Sequence, residues 1–211
     1  MTDTLPNRGP RSSARERILD AAYELFSRHG VRAVGVDTVV DRAGVAKMTL
    51  YRHFPSKDDL ALEFLRRREE LWTKKWLQGE VERRAATPED RLLAIFDVFD
   101  EWFQRDDFEG CSFINVLLEI DDRQSEVRRA SVNHLAVIRD FLGQLADQAG
   151  VRDPDDFARR WHILMKGAIV AAGEGDREAG RRVRRLGELL LTDARADRDG
   201  SGPTEAIEPP A

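Results

Sequence analysis

This sequence predicts an all-α protein, and three observations carry the prediction. Apolar residues recur three and four positions apart through most of the chain, the spacing that lines one face of a helix. Gly and Pro concentrate at boundaries rather than in repeats, and no stretch shows the alternation of apolar and polar residues that marks a half-buried strand. No internal repeat is present either, so each helix is read on its own.

Residues 1–12 are polar, contain Pro6, Gly9 and Pro10, and read as a disordered arm made basic by Arg8 and Arg11. Residues 13–29 predict an amphipathic helix with Ile18, Ala21, Ala22, Leu25 and Phe26 on one stripe, ended by Gly30. Residues 37–43 predict a short helix, and Gly44 supplies the turn after it. The stretch V-A-K-M-T-L-Y-R-H-F-P-S-K, residues 45–57, predicts a second short helix. Val45, Leu50 and Phe54 are its core anchors, whereas Lys47, Thr49, Tyr51, Arg52 and His53 make a face of donors, aromatic groups and positive charge. Pro55-Ser56 breaks it, and the Ser56 hydroxyl is placed to accept from the free first-turn amides of the helix that follows.

That helix is long: residues 57–79 carry Leu60, Phe64, Leu71, Trp72 and Trp76 at helical spacing, and Gly79 is the first break. Thr87 as N-cap and Pro88 in the first turn start the next, with Leu92, Ile95, Phe96, Phe99, Trp102 and Phe103, up to a charged turn at Asp106-Asp107. The run G-C-S-F-I-N from Gly110 opens a further helix to about Asp121. Residues 124–149 follow, built on Val127, Ser131, His134, Ile138, Phe141, Leu142 and Leu145, and Asp153-Pro154 starts a helix to about Gly173. The last, residues 177–191, carries Val183, Leu186, Leu189 and Leu190, and residues 192–211 read as a disordered tail.

A net charge of −5 excludes a protein that coats nucleic acid by charge alone. The sign is uneven, however. Through Lys57 there are ten Lys and Arg against six Asp and Glu, about +4, which leaves about −9 for the rest. A basic head on an acidic body fits a protein that touches phosphate with one end only. Cys111 is the only cysteine, so no intrachain disulfide can form, and no apolar run approaches about 18 residues. A cytoplasmic protein with no membrane partner is expected.

Two short helices about a Gly-containing turn, the second with an exposed polar face, describe a helix-turn-helix. The string G-V-x-A-V-x-V-D-T-V-V-D-R-A-G-V-A-K-M-T-L-Y-R-H-F-P-S-K-D-D-L resembles the DNA-binding signature of the TetR family of one-component transcriptional regulators. The match spans about a quarter of the chain, and its L-Y-R-H-F-P-S-K core is far more specific than a generic helix-turn-helix.

The resemblance implies residues 13–57 as the DNA-binding domain and residues 58–191 as a helical ligand-binding and dimerisation domain. Lys47, Met48 and Thr49 fall where a recognition helix meets base edges, and Tyr51, His53 and Lys57 match positions that touch phosphates or bases. Arg52 is either a further contact or a surface charge, and Thr38, beside Asp37, occupies the turn that abuts the DNA backbone. Arg8, Arg11 and Arg15 either reach a groove or stay solvated. Two departures bear on the contacts of the preceding helix: Val36 stands where relatives often have a hydroxyl, and Val40 where they have a small residue. Asp37 repels phosphate unless it caps its helix.

The resemblance also makes residues 57–79 the link from head to body, and likens G-C-S-F-I-N to the G-C-x-F-x-N start of the sixth helix in one branch of the family. It implies a homodimer in which the last two helices pair with their twins. The small residues Gly167, Ala168, Ala171, Ala172 and Gly173 permit close approach beside Ile169 and Val170, with Val183, Leu186 and Leu190 on the partner helix. Two heads on a two-fold axis read a palindromic double-stranded operator with half-sites about 34–36 Å apart or a multiple of it.

Within the body, Trp72, Trp76, Phe96, Phe99, Phe103, Phe113, Trp161 and Met165 supply more apolar bulk than the head needs. Such residues line pockets for small apolar or aromatic molecules, and they equally make a plain core. Asn115, His134 and His162 are the polar candidates among them, because a buried polar side chain needs a partner. Cys111 reads as a buried structural thiol, a redox sensor being the alternative. The four histidines are scattered without metal-ligand spacing, and neither a glycine-rich phosphate loop nor a nucleophile elbow occurs. The expectation is therefore a repressor without enzymatic activity, cofactor or metal, released from its operator by a small-molecule effector. The alternative is a DNA-bound structural protein whose body recruits another protein.

Overall fold

The structure, a computed structural model, describes residues 13–196, so the sequence-predicted arm at residues 1–12 and the tail from residue 197 lie outside the described residues. Those described are all helix, turn or loop. In order they form α1 (Ala14–His29), α2 (Val36–Ala43), α3 (Lys47–His53) and α4 (Lys57–Arg68). A π-helical segment (Glu69–Gln78) then leads through α5 (Gly79–Arg84) to α6 (Pro88–Phe103) and α7 (Ser112–Glu119). The chain continues with α8 (Glu126–Gln148), α9 (Pro154–Gly173) and α10 (Ala179–Ala196).

The described residues form two compact units, both discontinuous: residues 13–78 with Glu109–Val137, and Gly79–Phe108 with residues 138–196. This division differs from the break expected after residue 57. The reason is packing. Phe64 of α4 is fully buried edge-on against Tyr23 and Phe26 of α1, at ring-centroid distances of 5.8 and 5.5 Å, and α7 returns to pack on α4.

In the first unit the local signals explain the helix ends. The Ser13 hydroxyl accepts from the Glu16 amide at 3.2 Å and Ser56 from the Asp59 amide at 3.0 Å, so α1 and α4 begin where their first free N–H groups find an acceptor. Ile18, Ala22, Leu50, Leu60, Ala61 and Leu65 are fully buried between α1, α3 and α4. Val45 is only half-buried, so the expected trio of anchors reduces to Leu50 and Phe54.

Gly79 does not end the fourth helix as expected. The backbone widens to π-helical bonding over Glu69–Gln78 and narrows again into α5, ending before Thr87. A single glycine costs a helix about 1 kcal/mol rather than breaking it. Arg84 joins Glu80 of its own helix, at 3.1 Å, to Glu101 of α6, at 2.6 Å.

In the second unit α6 packs against α10 and α9. Thr87 caps α6 as expected, its hydroxyl accepting from the Asp90 amide at 3.2 Å. Phe96, Phe99 and Trp161 are fully buried, and Phe96 and Phe157 stack on Trp161 at 4.9 and 5.2 Å. Each such side chain contributes about 2–3 kcal/mol by leaving water. Close helix approach within the unit is made by two glycines of α10. A Cβ at Gly167 or Gly173 of α9 would meet nothing within 4 Å, whereas one at Gly180 or Gly187 of α10 would lie 2.6 Å from the Asp100 backbone and 2.7 Å from the Phe96 ring. Two glycines seven residues apart thus let α10 lie on α6. α10 also runs on to Ala196, past the expected end at residue 191, with Arg195 paired to Glu89 at 3.2 Å.

Candidate nucleic-acid interface

The hairpin of α2 and α3 is set by Gly44, whose φ of 61° and ψ of 46° are left-handed. From that turn the Gly44 amide donates to the Asp41 carbonyl and the Val45 amide to the Val40 carbonyl, both at 3.3 Å, closing α2. From α1, Arg17 donates to the Ala43 carbonyl at 3.3 Å and Glu24 grips Arg42 with both carboxylate oxygens. These contacts fix α2 while Leu50 and Phe54 bury one side of α3.

The other side of α3 is open. Met48 is 77% exposed and Tyr51 39%, and Lys47, Arg52 and His53 are exposed with them. Positions 47, 48, 51 and 52 are neighbours on a helical surface, so these side chains share one face. Of the other sequence-assigned contacts, Thr38 is exposed on α2, while Thr49 and Lys57 are half-buried.

Asp37 is not the cap of α2. Gly35 holds that position, and Asp37 lies in the first turn with its carboxylate 2.7 Å from the Lys47 ammonium. This hydrogen bond, reinforced by Asp37's charge, raises the Lys47 pKa and keeps the side chain cationic. It also cancels the repulsion that a bare Asp37 would offer to phosphate.

Lys57 donates to the Arg32 carbonyl at 3.3 Å, and the Arg32 amide donates to the Glu119 carboxylate at 3.0 Å. A Cβ on Gly30 would lie 1.9 Å from that carboxylate, and Gly30 has φ 81°. Glu119 therefore abuts the turn after α1 at a position only glycine fits. No sequence signal singles it out, because its partners lie 87 and more residues away.

The residues assigned to a small-molecule site fall in both units. In the first, Trp72 and Phe113 are buried, and Trp76, Asn115 and His134 are half-buried. His134 stacks on Phe113 at 5.1 Å and bonds through Nδ1 to the Glu69 carboxylate. Burial works to raise the Glu69 pKa, but hydrogen bonds from Lys74, at 2.7 Å, and from His134 outweigh it and hold the carboxyl below its usual range. Asn115 donates to the Glu109 carbonyl at 3.5 Å.

In the second unit Phe96, Phe99, Phe103, Trp161 and Met165 are all buried. Among the described residues of this unit, Trp161 Nε1 and His162 Nδ1 are buried without a hydrogen-bond partner. Burial pushes the His162 pKa down to about 3, with the charges of Lys166 and Arg139 acting in the same direction, so its imidazole is neutral.

Of the residues assigned to a dimer face, Ala168, Ile169 and Val183 are spent inside the second unit, at 5%, 8% and 5% exposure. Ala172 and Leu190 are half-buried, and Leu186 is exposed. The apolar side chains that α9 and α10 leave open are Leu186 together with Ile163, Val170 and Leu189, at 52–68% exposure.

Comparison with known proteins matches residues 18–64 to the family described as bacterial regulatory proteins, tetR family, and residues 88–186 to the tetracyclin repressor-like C-terminal domain. A putative TetR transcriptional regulator from Streptomyces avermitilis superposes with a TM-score of 0.79 at 32% identity, over 87% of this chain and 99% of that one. The transcriptional activator FasR of Mycolicibacterium smegmatis is 38% identical over 47% of this chain and 45% of its own. The transcriptional repressor KstR of Mycobacterium tuberculosis is 51% identical over 25% of this chain and 24% of its own. This chain thus spans less than half the length of those two relatives. Among the described residues no helix is long and apolar enough to cross a membrane.

Proposed function

We propose, for a chain that belongs to the TetR family of bacterial transcriptional regulators, a homodimeric repressor that binds a palindromic operator and leaves it when a small apolar or aromatic effector binds the body. Members of this family are DNA-binding regulators, not enzymes, and typically dimerise and respond to small molecules. The observation that carries the reading is the open face of α3, Lys47, Met48, Tyr51, Arg52 and His53, held on a buried anchor pair and a left-handed glycine turn. It has the size, charge and rigidity to lie in a major groove, with Thr49 and Lys57 beside it and Thr38 near the DNA backbone. A protein acting on DNA in this way works in the cytoplasm.

Dimerisation supplies the second half-site. Ile163, Val170, Leu186 and Leu189 lie on α9 and α10, and a two-fold pairing of such a face is self-complementary. The effector acts by binding better to a conformation whose heads are misspaced, since a ligand with equal affinity for both shifts nothing. Trp72, Trp76, Phe113, Asn115 and His134 of the first unit, and Phe96, Phe99, Phe103, Trp161 and Met165 of the second, are the candidate contacts.

The test is binding of the purified protein to its own upstream DNA with and without a library of small molecules. A compound that abolishes specific binding supports the reading and identifies the ligand class. Specific binding that no compound disturbs moves the body toward recruitment of a protein partner. Relatives of both signs, FasR as activator and KstR as repressor, make transcription from that promoter the second readout.

A further inference from the structure

Where α4 passes into the π-helical segment, the first unit carries more positive charge than it neutralises. Arg68 is 6% exposed. Its Nη1 donates to the Tyr23 hydroxyl at 3.0 Å, and its guanidinium lies 5.6 Å from the Tyr23 ring and 6.0 Å from the Trp72 ring. All three contacts are with neutral groups. Arg67, the preceding residue, lies 5.7 Å from the same Tyr23 ring and is paired with Asp20 at 2.7 Å, yet its Nη1 is buried without a hydrogen-bond partner. Two guanidiniums therefore flank one tyrosine with one carboxylate between them. Glu69, next in sequence, is committed to Lys74 and His134.

A buried charge without a counter-ion is strongly disfavoured, and cation–π contacts of about 1–2 kcal/mol do not replace an ion pair with hydrogen bonds. The neighbouring Thr73 hydroxyl, on a fully buried residue, is a further polar group without a partner. Arg67 and Asp20 beside it keep 17% and 32% of their side chains exposed.

We propose that this junction of α1 and α4 is an oxyanion site in which Arg68 pairs with the carboxylate of a monoanionic effector that has an aromatic or apolar body. The charge sets the class. One positive charge is in excess, so one negative charge balances it, and a carboxylate accepts the planar guanidinium fork. Trp72, in contact with Arg68 and tilted on Trp76 at 5.3 Å, is the apolar surface beside the charge. The inference rests on the effector-responsive reading only for the anion's being part of an effector.

Binding to the DNA-free protein tests it by calorimetry at pH 7, so that its failure is separable from failure of the operator reading. The probes are 2-naphthoate, its nearly isosteric neutral amide 2-naphthamide, and the dianion 2-naphthyl phosphate. Naphthoate is expected to bind at least roughly tenfold tighter than naphthamide, a preference lost in Arg68→Gln and kept in Arg68→Lys. Equal affinity for acid and amide, binding of neither, or a preference that survives Arg68→Gln overturns the site. Tighter binding of naphthyl phosphate than of naphthoate overturns the monoanion assignment. The wild-type comparison stands even where Arg68→Gln does not fold.

Discussion

The α2–α3 hairpin and the crossing of α10 over α6 are both organised by glycine, for opposite reasons. In the hairpin, Gly44 supplies a left-handed backbone, has open space around it, and leaves one face of α3 in solvent. In the crossing, Gly180 and Gly187 supply the absence of a side chain, so that the Asp100 backbone and the Phe96 and Trp161 rings fill the space. The first glycine fixes a direction and leaves residues free for a partner; the second pair fixes a distance and leaves none.

The largest effect tests that difference. Gly187→Val forces atoms into the Phe96 and Trp161 rings and should destabilise the protein by about 3 kcal/mol in chemical denaturation, whereas Gly79→Ala, in open space within a helix, should be neutral or stabilise by about 0.5–1 kcal/mol. Equal effects would mean that α10 does not approach α6 as closely as this.

On the hairpin side, Tyr51→Ala or Lys57→Ala should weaken operator binding by roughly tenfold or more and leave the dimer unchanged. Loss of the dimer in either variant would place these residues in the fold instead of the interface.

The next effect is a pH dependence of the buried unit. His162 takes up its proton near pH 6.5 when unfolded but only near 3 when folded, so the unfolded state binds more protons between those values. Stability should therefore fall as pH drops from about 6.5 toward 3, by at most about 1.4 kcal/mol per pH unit from this group. His162→Leu should flatten the slope by one proton; an unchanged slope would assign it to the carboxylates.

The smallest effect sharpens the hairpin's electrostatics. Asp37→Asn frees Lys47 from its 2.7 Å ion pair and should raise DNA affinity a few-fold, with the slope of log K against log salt steeper by up to about 0.9, one more phosphate neutralised.

The same contrast explains what was legible in the sequence. The all-α class and the hairpin were, because helical spacing, Gly44, the Ser56 cap and the exposed polar run are local features. Gly187 was not, since a glycine inside a helix looks the same whether it faces a ring or open water. Ala168, Ile169 and Val183, assigned to the dimer face, have the right character, but only the packing of α9 and α10 shows that they are enclosed, whereas Val170 and Leu186 stay open together with Ile163 and Leu189. Residues 69–78 read as ordinary helix because apolar spacing barely separates α from π bonding over two turns. Glu119 and Arg68 stood out by no motif, each defined by distant partners.

The most direct test of the central claim, that the open face of α3 reads an operator, is fluorescence anisotropy of the purified protein with its own upstream DNA and a scrambled duplex of equal length, from about 50 to 200 mM salt. The account predicts strongly salt-dependent binding that favours the upstream sequence at every salt concentration, a preference lost in Tyr51→Ala. Equal affinity for both duplexes, or a preference that Tyr51→Ala leaves intact, would contradict it.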